Sequence, residues 1–130
     1  MLRLAKVLNS NFRYETIKLS NPDLTPFAHG CALVCKDGVA YPATETDMPE
    51  YIAVVGEEEE PCTAVNTILV TEGMIFKTEY VGDTAPYVGM CVGLAKNTCE
   101  MDAVTHNENG KGTVLAIDSV NKLVYVKFRK

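Results

Sequence analysis

The chain has 130 residues and a mass of 14.2 kDa, enough to bury one hydrophobic core and too little for two comfortable ones. Hydrophobic residues make up 47% and charged ones 22%, a balance that excludes a generally disordered chain. The formal net charge of −5 argues against a nucleic-acid binder, which concentrates Lys and Arg to displace counterions from phosphates.

The first twenty residues are locally basic, with Arg3, Lys6, Arg13 and Lys18 against Glu15 alone. They contain no apolar run of the length that a signal peptide requires, and no stretch of the chain has the length and apolarity of a transmembrane helix, so the expectation is a chain made and kept in the cytosol. A loose alternation through Phe12, Tyr14, Ile17 and Leu19 ends at the turn signal Asn21-Pro22-Asp23. Residues 1–26 therefore read as an extended N-terminal arm or an edge strand, with a short amphipathic helix over residues 2–8 as the competing reading. Residues 27–130 read as a β domain.

From Pro26 onward the punctuation becomes regular. Candidate strands cover residues 31–35, 39–42, 51–55, 67–71, 74–80, 90–94, 113–117 and 123–128, separated by short Gly-, Asp- and Asn-containing turns. Short strands at a spacing of roughly 8–12 residues are the pattern of an all-β protein, a single compact β-sandwich or small β-barrel. Asp37-Gly38 has the residues of a tight hairpin, because such turns demand positive φ. Gly89-Met90-Cys91-Val92-Gly93-Leu94 places a strand between two glycines, which points to a bulge or a close backbone approach. Between residues 37 and 60 eight acids stand unopposed, four of them in the run Glu57-Glu58-Glu59-Glu60, which is expected to protrude as a solvated loop. Separated signs of this kind can steer association. The last hairpin alternates Val114 and Ala116 against Leu115 and Ile117, turns over residues 118–122, and returns through Leu123-Val124-Tyr125-Val126-Lys127-Phe128.

Residues able to carry chemistry are few. Five cysteines, Cys31, Cys35, Cys62, Cys91 and Cys99, form no CxxC pair and read as small hydrophobes in a reducing compartment. His29 and His106 lie in turn-like contexts without the spacing of a zinc site or a nucleophile motif. The glutamate run has no cause to raise its pKa values, and it lacks the calcium-loop pattern. No phosphate-binding GxxxxGK[ST] motif occurs, and GMCVGL lacks dinucleotide-fingerprint spacing. The aromatics Tyr41, Tyr51, Phe76, Tyr80, Tyr87, Tyr125 and Phe128 lie about one per strand without basic neighbours, so core packing accounts for them better than base stacking. No catalytic residue, metal ligand or cofactor site is expected.

The stretches GCALVCKDGVAYPAT, YIAVVGEEEE, ILVTEGMIFKTEY, GMCVGL and the closing G-x-V-L-x-I-D hairpin, taken in that order, resemble the layout of small capsid decoration (head-stabilising) proteins of tailed bacteriophages over roughly the last hundred residues. The long N-terminal segment and the five cysteines depart from that layout. The resemblance implies a non-enzymatic virion structural protein on the outer capsid surface. It would be made in the host cytoplasm, be a homotrimer with the major capsid protein as partner, and have no nucleic-acid or membrane contact. In that setting residues 1–26 would add a strand to a neighbour, with Arg3, Phe12, Arg13, Tyr14 and Ile17 as partner-binding residues, and Arg129 and Lys130 would blunt the last strand against further pairing. The hairpin GKGTVLAIDSVNKLVYVKF is also similar to small SH3-like barrels, which keeps open the alternative of a cytosolic β-barrel adaptor binding protein or RNA.

Overall fold

The computed structural model describes residues 2–7, 14–19, 30–37, 39–53, 64–71, 73–95 and 103–129, with backbone alone at 6–7, 14–19, 39 and 64–66. These residues form eleven strands and no helix. In chain order the strands are β1 (Arg3–Val7), β2 (Tyr14–Leu19), β3 (Ala32–Lys36), β4 (Val39–Pro42), β5 (Tyr51–Ala53) and β6 (Ala64–Leu69). They continue with β7 (Met74–Glu79), β8 (Cys91–Leu94), β9 (Val104–His106), β10 (Gly112–Asp118) and β11 (Leu123–Phe128). The all-β class expected from the sequence is what the chain adopts, in two sheets compatible with a β-sandwich.

The first sheet has six strands in the order β1-β7-β11-β10-β8-β9. Its inner face follows from strict alternation: Met74, Phe76 and Thr78 on β7 and Val124, Val126 and Phe128 on β11 are buried, and their neighbours are half-exposed. Phe76 and Phe128 meet at 6.0 Å between ring centroids with a 52° tilt, the offset geometry that the ring quadrupole favours. In the second sheet the pairings run β2-β4-β3-β5-β6 and return from β6 to β2, the β2–β4 step being parallel and two residue pairs long.

The β3, β5 and β6 strands are buried on both faces. Ala32, Ile52 and Ile68 stand in one register row and join the core shared with the first sheet, whereas Leu33, Ala53 and Thr67 point the other way and are equally buried. Such strands read as continuous apolar runs, as Cys31-Ala32-Leu33-Val34 does. The Asp37-Gly38 hairpin forms as expected, with Lys36 opposite Val39 and Asp37 at φ 54°.

Several expectations are corrected. The competing helix over residues 2–8 does not form at residues 3–7, which make β1, held by antiparallel pairing to β7 and preceded by the buried Leu2. β1 is the edge strand of its sheet, and Ala5 is a bulge in it, because Leu4 faces Phe76 and Lys6 faces Ile75. Residues 14–19 are paired on both sides, to β6 and β4. The strand expected at 67–71 runs from Ala64 to Leu69, and His106 ends a strand, β9, that the polar loop reading missed. The expected glutamate loop, Cys62, Cys99 and His29 lie outside the described residues.

Two glycines set the distance between layers. A side chain on Gly93 would collide with the Glu45 carbonyl, and one on Gly110 with the Val92 carbonyl, so the loop before β5 and the turn before β10 can each lie against β8 only because hydrogens occupy those positions. Gly110→Ala is expected to cost about 3 kcal/mol through forced backbone movement, read as a lower urea midpoint at unchanged slope. Gly89→Ala, where nothing lies within 4 Å and only a φ of 91° resists, is expected to cost about 1 kcal/mol. Equal midpoints for the two variants would refute the close approach at Val92.

Candidate functional site

The β10–β11 hairpin departs from simple alternation, and the departure creates a surface. On β11 the pattern is regular, but the register of β10 shifts between Val114 and Ala116, so Leu115 is an extra residue in the ladder. Val114 is fully buried, while Leu115, Ala116 and Ile117 are all exposed. Ile117 faces the buried Val124 across the ladder and is nonetheless 37% exposed. Sequence alternation puts Leu115 and Ile117 on one face opposite Ala116; the bulge breaks that pattern.

A loop without regular structure supplies the second half of the surface. The Gly89 N–H donates to the Val114 carbonyl at 2.8 Å, and Ala85 and Pro86 share a groove with Ile117. Residues 85–89 thus run alongside β10, and the exposed apolar side chains along this margin are Tyr87 and Val88, 56% and 63% exposed, with Leu115 and Ile117, each 37% exposed. Val120, at the tip of the hairpin, is 88% exposed. An apolar strip of this kind costs solvation free energy in isolation and is a common mark of a docking surface. The groove itself measures about 400 Å³ and is lined by Tyr80, Pro86, Ile117, Lys122, Leu123 and Val124 among others.

The hairpin tip is rigidly built. Asp118 accepts the Asn121 backbone N–H at 3.1 Å on Oδ1 and the Asn121 side-chain amide at 2.8 Å on Oδ2, and Lys122 takes a left-handed φ of 57° to return the chain to β11. These bonds, the side-chain one from Asn121 first, hold the Asp118 carboxyl below its ordinary pKa of 3.8. At the other end of the groove, Tyr80 forms a parallel bridge with Val104, and the Val81 N–H donates to the Val104 carbonyl at 2.9 Å. The end of β7 is thereby tied to β9, at the far side of the same sheet. The Tyr80 hydroxyl is buried without a hydrogen-bond partner among the described residues.

The residues expected to bind a partner are distributed differently. Arg3 lies exposed on β1 opposite Lys77; burial raises the Glu79 carboxyl, but the Arg3 charge is one of the influences that leave it below its ordinary value. Tyr14 and Ile17 belong to β2 in the other sheet, opposite Ile68 and Val65. Phe12 and Arg13 lie outside the described residues. Tyr41, 40% exposed, and Tyr87 do not serve the core as expected of them. The sequence signal for the strip was present in one place: Tyr87-Val88 is an apolar pair between Pro86 and Gly89, in a segment with no strand pattern to bury it. Among the described residues no group of three or more His, Cys, Asp or Glu side chains is gathered as a metal site would be, and Cys31, Cys35 and Cys91 are free thiols. No protein-family model, no curated protein and no solved structure matches the chain.

Two outcomes test this geometry. Asp118 has a depressed folded pKa, so its contribution to stability is present above the unfolded pKa and disappears as pH falls through the folded one. Asn121→Ala should move its carboxyl midpoint up toward 3.8 in an NMR titration; an unchanged midpoint would mean that the Asn121 side-chain bond does not hold in solution. Tyr80→Phe removes a buried hydroxyl without a partner and should be neutral or stabilising by up to about 1 kcal/mol in urea unfolding, whereas a clear loss would reveal a bond to that oxygen.

Proposed function

We propose that this chain is a non-enzymatic structural protein of a tailed-phage virion, a decoration subunit that binds the outer capsid surface and cements the shell, with the major capsid protein and its own copies as partners. The observation that carries the reading is the exposed apolar strip formed by Tyr87, Val88, Leu115 and Ile117 on a compact all-β scaffold. Catalysis asks for convergent polar groups in a cleft, whereas docking asks for an apolar centre with a polar rim; the strip has the second character, with Asp118 and Lys122 at its margin. The order of strands and turns that resembles decoration proteins supplies the choice of partner. A homotrimer would multiply a modest contact into a firm clamp through effective concentration.

In this reading the docking determinant shifts from residues 1–26 to the β10 side of the first sheet, because β2 is paired on both sides within its own chain and the open edge of β1 is broken by the bulge at Ala5. Quantitative mass spectrometry of purified phage particles should find the chain at a copy number equal to that of the major capsid protein or a simple lattice fraction of it. Absence from particles, with the chain abundant in the cytosol, would overturn the virion role and favour the adaptor. Ile117→Asp and Tyr87→Asp should each weaken binding to capsids lacking the protein by about 30-fold, the scale of an interface hot spot, with circular dichroism unchanged. Undiminished binding by both would remove the strip from the interface.

A further inference from the structure

The turn between β9 and β10 contains the pair Asn109-Gly110, and its chemistry is independent of any docking role. An asparagine followed by glycine is the pair least hindered toward ring closure, because no Cβ on the second residue obstructs the approach of its backbone nitrogen. The Gly110 amide nitrogen, on losing its proton, attacks Asn109 Cγ; the new C–N bond closes a succinimide, and the side-chain nitrogen departs as ammonia. Water then opens the ring at either carbonyl and leaves aspartate or isoaspartate. One nitrogen is exchanged for one oxygen, and no oxidant or second reactant besides water is needed.

The fold holds this pair close to reaction and blocks it. Asn109 is exposed, so water reaches its side chain. The attacking nitrogen, however, is engaged: the Gly110 N–H donates to the Asn107 carbonyl at 3.0 Å, closing a turn over residues 107–110. Neither Glu108 nor Asn109 has positive φ, and the Asn109 N–H donates to Asn107 Oδ1 at 2.9 Å. The Gly110 carbonyl accepts the Cys91 thiol at 3.3 Å, and Gly110 itself lies against the Val92 and Gly93 backbone so closely that not even a methyl group fits. To attack, the nitrogen must surrender its hydrogen bond and swing toward Asn109, and β8 leaves no room for that movement.

We infer that Asn109-Gly110 is a spontaneous modification site gated by opening of the β9–β10 turn, with isoaspartate as its irreversible product. Conversion follows the population of the opened turn, since the closed turn contributes no reactive geometry. The product does not return to the native turn. Isoaspartate inserts an extra methylene into the backbone, and the Gly110 nitrogen then fails to meet Asn107 while its α-carbon stays against Val92. Each opening that leads to reaction is therefore recorded permanently at the junction of β8, β9 and β10.

The test uses the full chain incubated at mildly alkaline pH, folded in buffer or unfolded in concentrated urea. Conversion at residue 109 is followed by peptide mapping for a gain of about 1 Da and by enzymatic methylation specific for isoaspartate. Conversion in urea should exceed that of the folded protein by roughly ten-fold or more, and Asn109→Gln should abolish the signal at this position. Asn107→Ala, which removes the Oδ1 acceptor, should speed conversion of the folded protein several-fold. Equal rates with and without urea would overturn the gating whether or not the Asn107 variant folds, and an isoaspartylated chain that unfolds at the same urea concentration as the parent would overturn the exclusion of that product from the native turn.

Discussion

Everything in the first sheet depends on how closely other backbone can approach Val92. Gly93 admits the Glu45 carbonyl on one side, Gly110 presses on the Val92 carbonyl, and a side chain at Gly112 would crowd both Val92 and Phe128. The β8–β10 pairing is only two residue pairs long, so main-chain hydrogen bonds alone would hold it weakly. Close packing of glycine backbone compensates, because dispersion rises steeply as the gap shrinks. With β8 fixed, Val92, Leu94 and Val104 enter the same core as Phe76 and Phe128, and the two sheets close on a single apolar cluster.

That cluster was largely legible in the sequence. The period-two pattern of Met74, Phe76 and Thr78 and of Val124, Val126 and Phe128 predicts both the strands and their inner faces, because a strand buried on one side has no other way to arrange its side chains. The Gly89–Leu94 segment announced a close approach that falls at Gly93, whereas Gly89 serves a positive φ in open space. What failed to show was long-range pairing. Nothing local in residues 3–7 says that β7 waits seventy residues later, nor does Thr105-His106 look like a strand without β8 beside it. A three-residue strand has too few positions for a period to appear.

The candidate surface was less legible, for a physical reason. Leu115 and Ile117 carry the same letters whether buried or exposed, and the bulge that takes Leu115 out of the ladder and sets Ile117 opposite Val124 is fixed by the pairing with β11. Sequence patterning assumes an unbroken ladder, and a single extra residue inverts its conclusion for every position that follows. Tyr87 and Val88 were exposed for the opposite reason: their segment never joined a ladder, and it runs along β10 with Gly89 anchored to Val114. These exposed apolar residues thus lie where the ladder is irregular or absent, whereas the core lies where it is regular.

The bulged strand β1 has a bearing on how the molecule behaves at high concentration. A sheet margin is a template: a second chain that meets it in register can extend it, and a third can extend the second, until growth runs on as a fibre. At β1 such growth meets five residues interrupted at Ala5. An invading chain would find no long uninterrupted ladder. The irregularity at Ala5 therefore lets copies of the chain crowd together without extending one another's sheets.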